Sequence, residues 1–116
     1  IMKLAMQAAE DMEKEGISVE VIDLRTVRPI DFDAILNSVK KTNRLVILEE
    51  AWPFGSISSE ITYMVQQKAF DYLDAPIKRI TTPDAPAPYS AALFADWFPK
   101  LETVKAEIKK AMYIKA

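Results

Sequence analysis

Two adjacent carboxylates, Glu49 and Glu50, are the residues of this chain whose types and spacing most suggest chemistry. They end a short apolar run, residues 45–48, and precede an aromatic turn, residues 52–55. Ligands of α/β folds bind beyond the carboxyl ends of strands, so one interpretation is a carboxylate pair for general acid–base catalysis. Adjacent strand residues point to opposite faces, however, and the two acids cannot flank one substrate unless the chain turns between them. We expect one acid to cap the neighbouring helix and the other to face solvent.

The composition excludes several kinds of catalytic site. The chain has no cysteine, which excludes thiol catalysis, disulfides and zinc-thiolate sites, and no histidine, which removes the commonest general base and metal ligand. Its two glycines, Gly16 and Gly55, are too far apart to form a phosphate-binding loop. We therefore predict no catalytic, cofactor-binding or metal-binding residue, and a module that binds rather than catalyses.

Length, charge and hydropathy limit the partners. The 116 residues, half of them apolar, predict a single domain over 1–116. A net charge of −2 provides no electrostatic footprint for nucleic acid. No apolar run approaches the roughly 20 residues that a membrane span needs, so no membrane partner is expected. The absence of cysteine fits a cytosolic protein.

The elements that must position these residues alternate between helix and strand. Hydrophobic periodicity predicts helices over 1–15, 31–42, 56–70 and 101–112, and strands over 17–24, 44–49 and 77–81. This alternation is typical of an α/β fold, with a mostly parallel sheet covered by helices on both faces. Because the pattern opens on a helix with no strand before it, we expect the sheet to lack its first strand and to show an unpaired edge. The chain is then a fragment of a longer polypeptide.

Other polar and aromatic residues lie where elements end. Asp23 and Arg25 end the first predicted strand, where a salt bridge or turn is the commoner role. Asp74 precedes Ala75-Pro76 in a predicted turn, for which aspartate is favoured by its bonds to the backbone. Aromatic residues lie in predicted loops and act either as interface anchors or as cover for a small core; they are Trp52, Phe54, Tyr89, Trp97 and Phe98.

Four segments, taken in order, resemble a known family. They are EGISVEVIDLRTVRPID, KKTNRLVILEEAWPFGSISSEI, FDYLDAPIKRITTPDAPAPYS and AEIKKAMYI. The ordered motifs D-L-R-T-x-R-P-x-D, E-x-x-W-P, L-D-A-P and P-x-P-Y carry the resemblance, which covers residues 8–114. They resemble the transketolase C-terminal domain family, and within it the beta subunit of the pyruvate dehydrogenase decarboxylating component.

The resemblance implies an assembly domain of an α2β2 enzyme that uses thiamine diphosphate and magnesium. Such an enzyme decarboxylates pyruvate and transfers the acetyl group to a lipoyl group. The family places its cofactor and catalytic residues in the alpha subunit and in the N-terminal domain of beta, so this fragment is expected to be inactive alone and to bind no cofactor. The expected partners are an alpha subunit, a second beta subunit and the subunit-binding domain of dihydrolipoamide acetyltransferase.

The resemblance also assigns residues. The docking aspartate falls on Asp74, and a docking C-terminal carboxylate falls near Ile114, although this chain continues with Lys115 and Ala116. Glu49, Trp52 and Tyr89 are interface candidates. A bacterial cytoplasmic location is expected rather than the mitochondrial matrix. The alternatives are an acetoin or branched-chain 2-oxoacid dehydrogenase beta subunit, or a free-standing α/β domain that binds a small molecule.

Overall fold

The computed structural model describes residues 1–115, which combine helices with a small parallel sheet. In chain order the elements are α1 (Met2–Lys14), α2 (Phe32–Thr42), β1 (Val46–Leu48), α3 (Ile57–Ala69), β2 (Lys78–Ile80), α4 (Ala91–Trp97) and α5 (Leu101–Ala111), with a 3-10 turn at Phe70–Tyr72. β1 and β2 pair in parallel, with Ile47 opposite Arg79. The α/β class that the alternation predicts is confirmed.

Helices cover both faces of this sheet because successive residues of β1 point to opposite sides. Ile47 packs against the buried side chains of α2 and α3, among them Val39 and Val65. Val46 and Leu48 pack on the other side, against a second buried cluster that comprises Ala8 of α1, Ile80 of β2 and Val104 of α5. The layered arrangement expected from the sequence is therefore present.

The ends of α2 follow its sequence signals. Asp31 is the N-cap, and its carboxylate accepts a hydrogen bond from the backbone N–H of Ala34 at 3.1 Å. At the other end Asn43 adopts a left-handed conformation with φ of 66°, and its N–H donates to the carbonyl of Val39. Asparagine tolerates this conformation better than most residues, so it favours the end of the helix at this position, before β1 begins.

The strand predicted over 17–24 is not part of the sheet, and that prediction is wrong. Within residues 1–115 this segment pairs with no other strand. A groove of about 660 Å³ is lined both by residues 17–25 and by residues 44–51. The backbone groups of Leu45 and Glu49, which flank β1, face β2: the Leu45 carbonyl accepts from the N–H of Lys78, and the Glu49 N–H donates to the carbonyl of Ile80. Strand alternation therefore turns the peptide groups of Val46 and Leu48 toward the groove, so this edge of β1 is unpaired.

α4 was not expected from the sequence. It follows the proline-rich loop, and none of its residues, Ala91–Trp97, is buried. A helix with no buried face leaves no hydrophobic period for a sequence pattern to detect. Among residues 1–115, no helix has both the length and the hydropathy that crossing a membrane requires.

Charged pairs join α1 to α5 along their packed faces. Lys109 lies 2.7 Å from Glu15, and Lys105 lies 3.4 Å from Asp11. The Gln7 amide donates to Asp11 and, with the Lys105 ammonium, lowers the pKa of that carboxyl. Stability from this depressed pKa is present above the ordinary carboxyl range and is lost as the pH falls through the lowered value.

α5 ends in a Schellman motif with an unusual residue. The N–H of Ile114 donates to the carbonyl of Lys109, and the N–H of Tyr113 donates to that of Lys110. Tyr113 occupies the left-handed position of the motif, with φ of 57°, where glycine is the usual residue.

Replacing Tyr113 with glycine is therefore expected to raise the free energy of unfolding by about 0.5–1 kcal/mol, since it removes the steric cost of the left-handed conformation. Tyr113 is 70% exposed, so little packing is lost. Urea unfolding followed by circular dichroism measures the change. Tyr63→Gly, at an exposed position inside α3, is the matched control and should be destabilising. A destabilised Tyr113→Gly variant would contradict the argument.

Candidate functional site

Glu49 and Glu50 separate as their strand geometry predicts. Glu49 is half-buried at the end of β1, and its carboxylate accepts hydrogen bonds from the N–H of Ser58 at 3.2 Å and from its hydroxyl at 2.7 Å. Ser58 lies in the first turn of α3, so Glu49 caps that helix and complements its positive end. Glu50 is exposed. The two acids do not form a catalytic pair.

Arg79 completes a polar network at this corner, and sequence reasoning missed it. From β2, its Nε donates to Ser58 Oγ at 2.7 Å, and its terminal nitrogen contacts Ser56 Oγ and the carbonyl of Pro53. The two serine hydroxyls are themselves 2.9 Å apart. The network ties β1, β2, the start of α3 and the aromatic turn together, because one guanidinium supplies donors in several directions.

The aromatic turn is joined to the proline-rich loop and to α4 through a single carbonyl. The indole nitrogens of Trp52 and Trp97 both donate to the carbonyl of Ala85, at 2.8 and 2.9 Å. The Phe94 ring lies 5.5 Å from that of Trp97. Three segments that are far apart in sequence therefore form one surface at the carboxyl end of the sheet.

The interface candidates differ in how much they present to solvent. Tyr89 is fully exposed and Trp52 is half exposed, and Phe54, next to Trp52 in the same turn, is 91% exposed. Glu49 is turned inward onto α3 and offers little surface to a partner. Exposed aromatic side chains of this size are characteristic of protein interaction surfaces.

Asp74 lies on a turn that residues at the end of α2 hold in place. The N–H of Asp74 donates to the carbonyl of Asn43 at 2.8 Å, and the Asn43 amide donates to the carbonyl of Tyr72 at 2.9 Å. The Asp74 side chain itself is 58% exposed. A rigid backbone thus carries an exposed carboxylate.

Arg44 brings the Asp74 turn and the end of α5 together. Its Nε donates to the carbonyl of Ala111 at 2.9 Å, and its terminal nitrogen lies 3.9 Å from an Asp74 carboxylate oxygen. Ile114, three residues beyond Ala111, is 43% exposed. The two partner-binding candidates, Asp74 and Ile114, therefore lie on segments that one arginine connects. Nothing in the sequence around Arg44 signals this, because its contacts are remote along the chain.

Asp23 and Arg25 form a local turn, the commoner of the two roles expected for them. The Asp23 carboxylate accepts from the N–H of Arg25 at 3.2 Å and lies 3.5 Å from its guanidinium. Arg25 has φ of 59°, and both side chains are exposed.

The described residues do not match a diphosphate–magnesium site. Within residues 1–115, no cluster of three carboxylate, histidine or cysteine side chains is placed to hold a metal ion. Gly16 and Gly55 lie at separate turns, each with positive φ, and form no common cradle for phosphates. No chemical step through thiamine diphosphate can be built from these residues.

Comparison with known proteins identifies the fold family. Residues 1–104 match the family model described as the transketolase C-terminal domain. The chain is 46% identical over 98% of its length to the pyruvate dehydrogenase E1 component subunit beta of Rickettsia bellii, and 47% identical over 97% to that of Rhizobium meliloti. It is 55% identical over 80% to the mitochondrial subunit of Dictyostelium discoideum.

The chain spans 35%, 24% and 26% of those three relatives, respectively. These relatives include bacterial and mitochondrial proteins, so the cytoplasmic location stays a prediction. The resemblance inferred from the motifs is confirmed by both comparisons: this chain belongs to the transketolase C-terminal domain family and is similar to the beta subunits of the pyruvate dehydrogenase E1 component.

Proposed function

We propose that this chain serves a thiamine-diphosphate-dependent pyruvate dehydrogenase as an assembly domain of its beta subunit. In this role it packs against an alpha subunit and a second beta subunit, and it docks the subunit-binding domain of dihydrolipoamide acetyltransferase. The chemistry, oxidative decarboxylation of pyruvate with acetyl transfer to a lipoyl group, belongs to the whole enzyme. Thiamine diphosphate and magnesium bind outside this chain, and the chain alone is inactive.

One observation carries the docking proposal: the exposed Asp74 carboxylate stands on a turn fixed by Asn43, next to the end of α5. Charge-assisted hydrogen bonds from lysine or arginine to a fixed carboxylate are strong and directional. A basic segment of the acetyltransferase is therefore the chemistry this surface fits.

Asp74→Ala is expected to weaken binding of the cognate subunit-binding domain by about 1–3 kcal/mol, because one charge-assisted bond is lost. Isothermal titration calorimetry with this chain measures the difference. Asp71→Ala is the matched control, since Asp71 is an exposed aspartate close by in the chain and should bind like the wild type. Identical affinities for the Asp74→Ala variant and the wild type would remove Asp74 from the site.

The aromatic surface supports the subunit-packing part of the proposal. Phe54, Tyr89 and the half-exposed Trp52 lie in segments tied together by the Ala85 carbonyl and by Arg79. Large aromatic side chains are the residues that most often contribute strongly to binding at protein interfaces. Glu49 contributes to this surface by capping α3 rather than by contact.

A second candidate function is favoured by the groove between residues 17–25 and 44–51. Its volume, about 660 Å³, falls within the range of small-molecule sites. A free-standing domain would use it to bind a nucleotide or an oxo acid. A thermal-shift screen with both ligand classes separates the two functions: stabilisation of the chain by either class favours this candidate, and no stabilisation favours assembly.

Pyruvate is preferred over acetoin or a branched-chain oxo acid as the substrate of the whole enzyme because Trp52-Pro53 and Pro88-Tyr89 follow the pyruvate-type pattern. The identities to beta subunits of pyruvate dehydrogenase E1 components support the same preference. Reconstitution of this domain in a beta subunit, with turnover measured on all three substrates, tests it.

A further inference from the structure

We propose that Arg44, anchored on the end of α5, is a positioning residue that holds the Asp74 carboxylate in place for docking, a role that rests on the function proposed above. Arg44 follows Asn43, which ends α2, and precedes β1. Its side chain is 30% exposed, compared with 58% for Asp74. The arginine is therefore a partly covered support beneath a more accessible carboxylate.

The Nε–H group of Arg44 donates a hydrogen bond to a carbonyl at the carboxyl end of α5. The last carbonyls of a helix have no partner within it. Those of Lys109 and Lys110 accept from the N–H groups of Ile114 and Tyr113, whereas the carbonyl of Ala111 accepts from Arg44 Nε at 2.9 Å. A cation at the negative end of a helix is also favourable electrostatically. These two effects fix where the guanidinium lies.

A terminal nitrogen of the Arg44 guanidinium faces Asp74. This nitrogen lies 3.9 Å from Oδ2 of Asp74, which is within ion-pair range but longer than a hydrogen bond. The pair orients the carboxylate while leaving its oxygens free to accept hydrogen bonds from a cationic partner. An arginine can make both contacts at once because its planar guanidinium carries donors on several nitrogen atoms.

Three substitutions distinguish the contact of Arg44 with the Ala111 carbonyl from its contact with Asp74. Arg44→Gln keeps a donor at the position of Nε but removes the charge that faces Asp74. Arg44→Lys keeps the charge but not the fork, and Arg44→Met keeps only an apolar stem that reaches as far as the position of Nε. We expect Arg44→Met to weaken binding of the cognate subunit-binding domain about five- to tenfold, with Gln and Lys weakening it less and neither restoring wild-type affinity.

A double-mutant cycle with Asp74→Asn distinguishes positioning from a general structural effect. If Arg44 acts through Asp74, Arg44→Met has little further effect on affinity in the Asp74→Asn background. A purely structural role would lower affinity by the same factor in both backgrounds and would overturn the proposal. Thermal unfolding of Arg44→Gln, which keeps the bond to α5, verifies that at least one variant is folded.

The remaining outcomes separate this inference from the function on which it rests. Wild-type affinity in Asp74→Asn would contradict the docking function itself. Weakened binding in Asp74→Asn with wild-type binding in Arg44→Met would overturn only the role of Arg44. Tighter binding in Arg44→Met would also overturn it, because Arg44 would then compete with the partner's cation.

Discussion

Replacing Arg79 with methionine is expected to lower the free energy of unfolding by about 2–4 kcal/mol, which places it among the most damaging single substitutions in this chain. The guanidinium donates to the hydroxyls of Ser58 and Ser56 and to the carbonyl of Pro53. Ser58 is fully buried, so water cannot replace the lost donor there. A partly satisfied polar network costs more than its missing bonds, because the remaining groups stay desolvated.

Urea unfolding followed by circular dichroism measures this effect, with Arg28→Met as the matched control. Arg28 is exposed, so its loss should change stability by less than about 0.5 kcal/mol. Arg79→Lys provides a second comparison, since one ammonium cannot reproduce the fork and should restore only part of the stability. Equal urea midpoints for Arg79→Met and Arg28→Met would show that the network contributes nothing.

The second large effect is expected in amide hydrogen exchange along β1. The amides of Glu49 and Lys78 donate within the β1–β2 ladder, whereas Val46 and Leu48 turn theirs toward the groove. Opening free energies range from near zero to the global value, so we expect the groove-facing amides to exchange at least about a hundredfold faster. Each pair of neighbouring amides in β1 is its own control. Nuclear magnetic resonance with deuterium exchange resolves them individually.

The same experiment tests how the unpaired edge behaves in solution. Exposed strand edges invite pairing with another chain. If a second copy of this chain covers the edge, protection of Val46 and Leu48 should rise with protein concentration, in step with the mass measured by light scattering. Protection at every concentration in a clean monomer would contradict the open groove.

The elements that depend on local signals could be predicted from the sequence. Asp31 and Asn43 mark the ends of α2 through their own backbone interactions, and the continuous apolar run of residues 45–48 marks β1. The segment 17–24 has the composition of a strand, but a strand exists only if a partner pairs with it, and in the described structure none does. Composition cannot report that missing partner.

The candidate site was predictable only in part, because some of its contacts join residues that are far apart in the sequence. Glu49 as a cap follows from the strand geometry and from the helix start close behind it. The contacts of Arg79 and Arg44 reach across 21 residues to Ser58 and 67 residues to Ala111, respectively. No sequence period links residues at such separations, so these two arginines could be assigned only from the folded chain.

The shared carbonyl of Ala85 has an experimental consequence. Trp52 and Trp97 are the only tryptophans in the sequence, and both donate to this one atom. Intrinsic tryptophan fluorescence therefore reports on a single joint of the protein, where the aromatic turn meets the proline-rich loop and α4. Its emission maximum should shift when a subunit covers this surface, while docking at Asp74 should leave it nearly unchanged. The chain thus contains a built-in optical probe that distinguishes its two proposed contacts without a label.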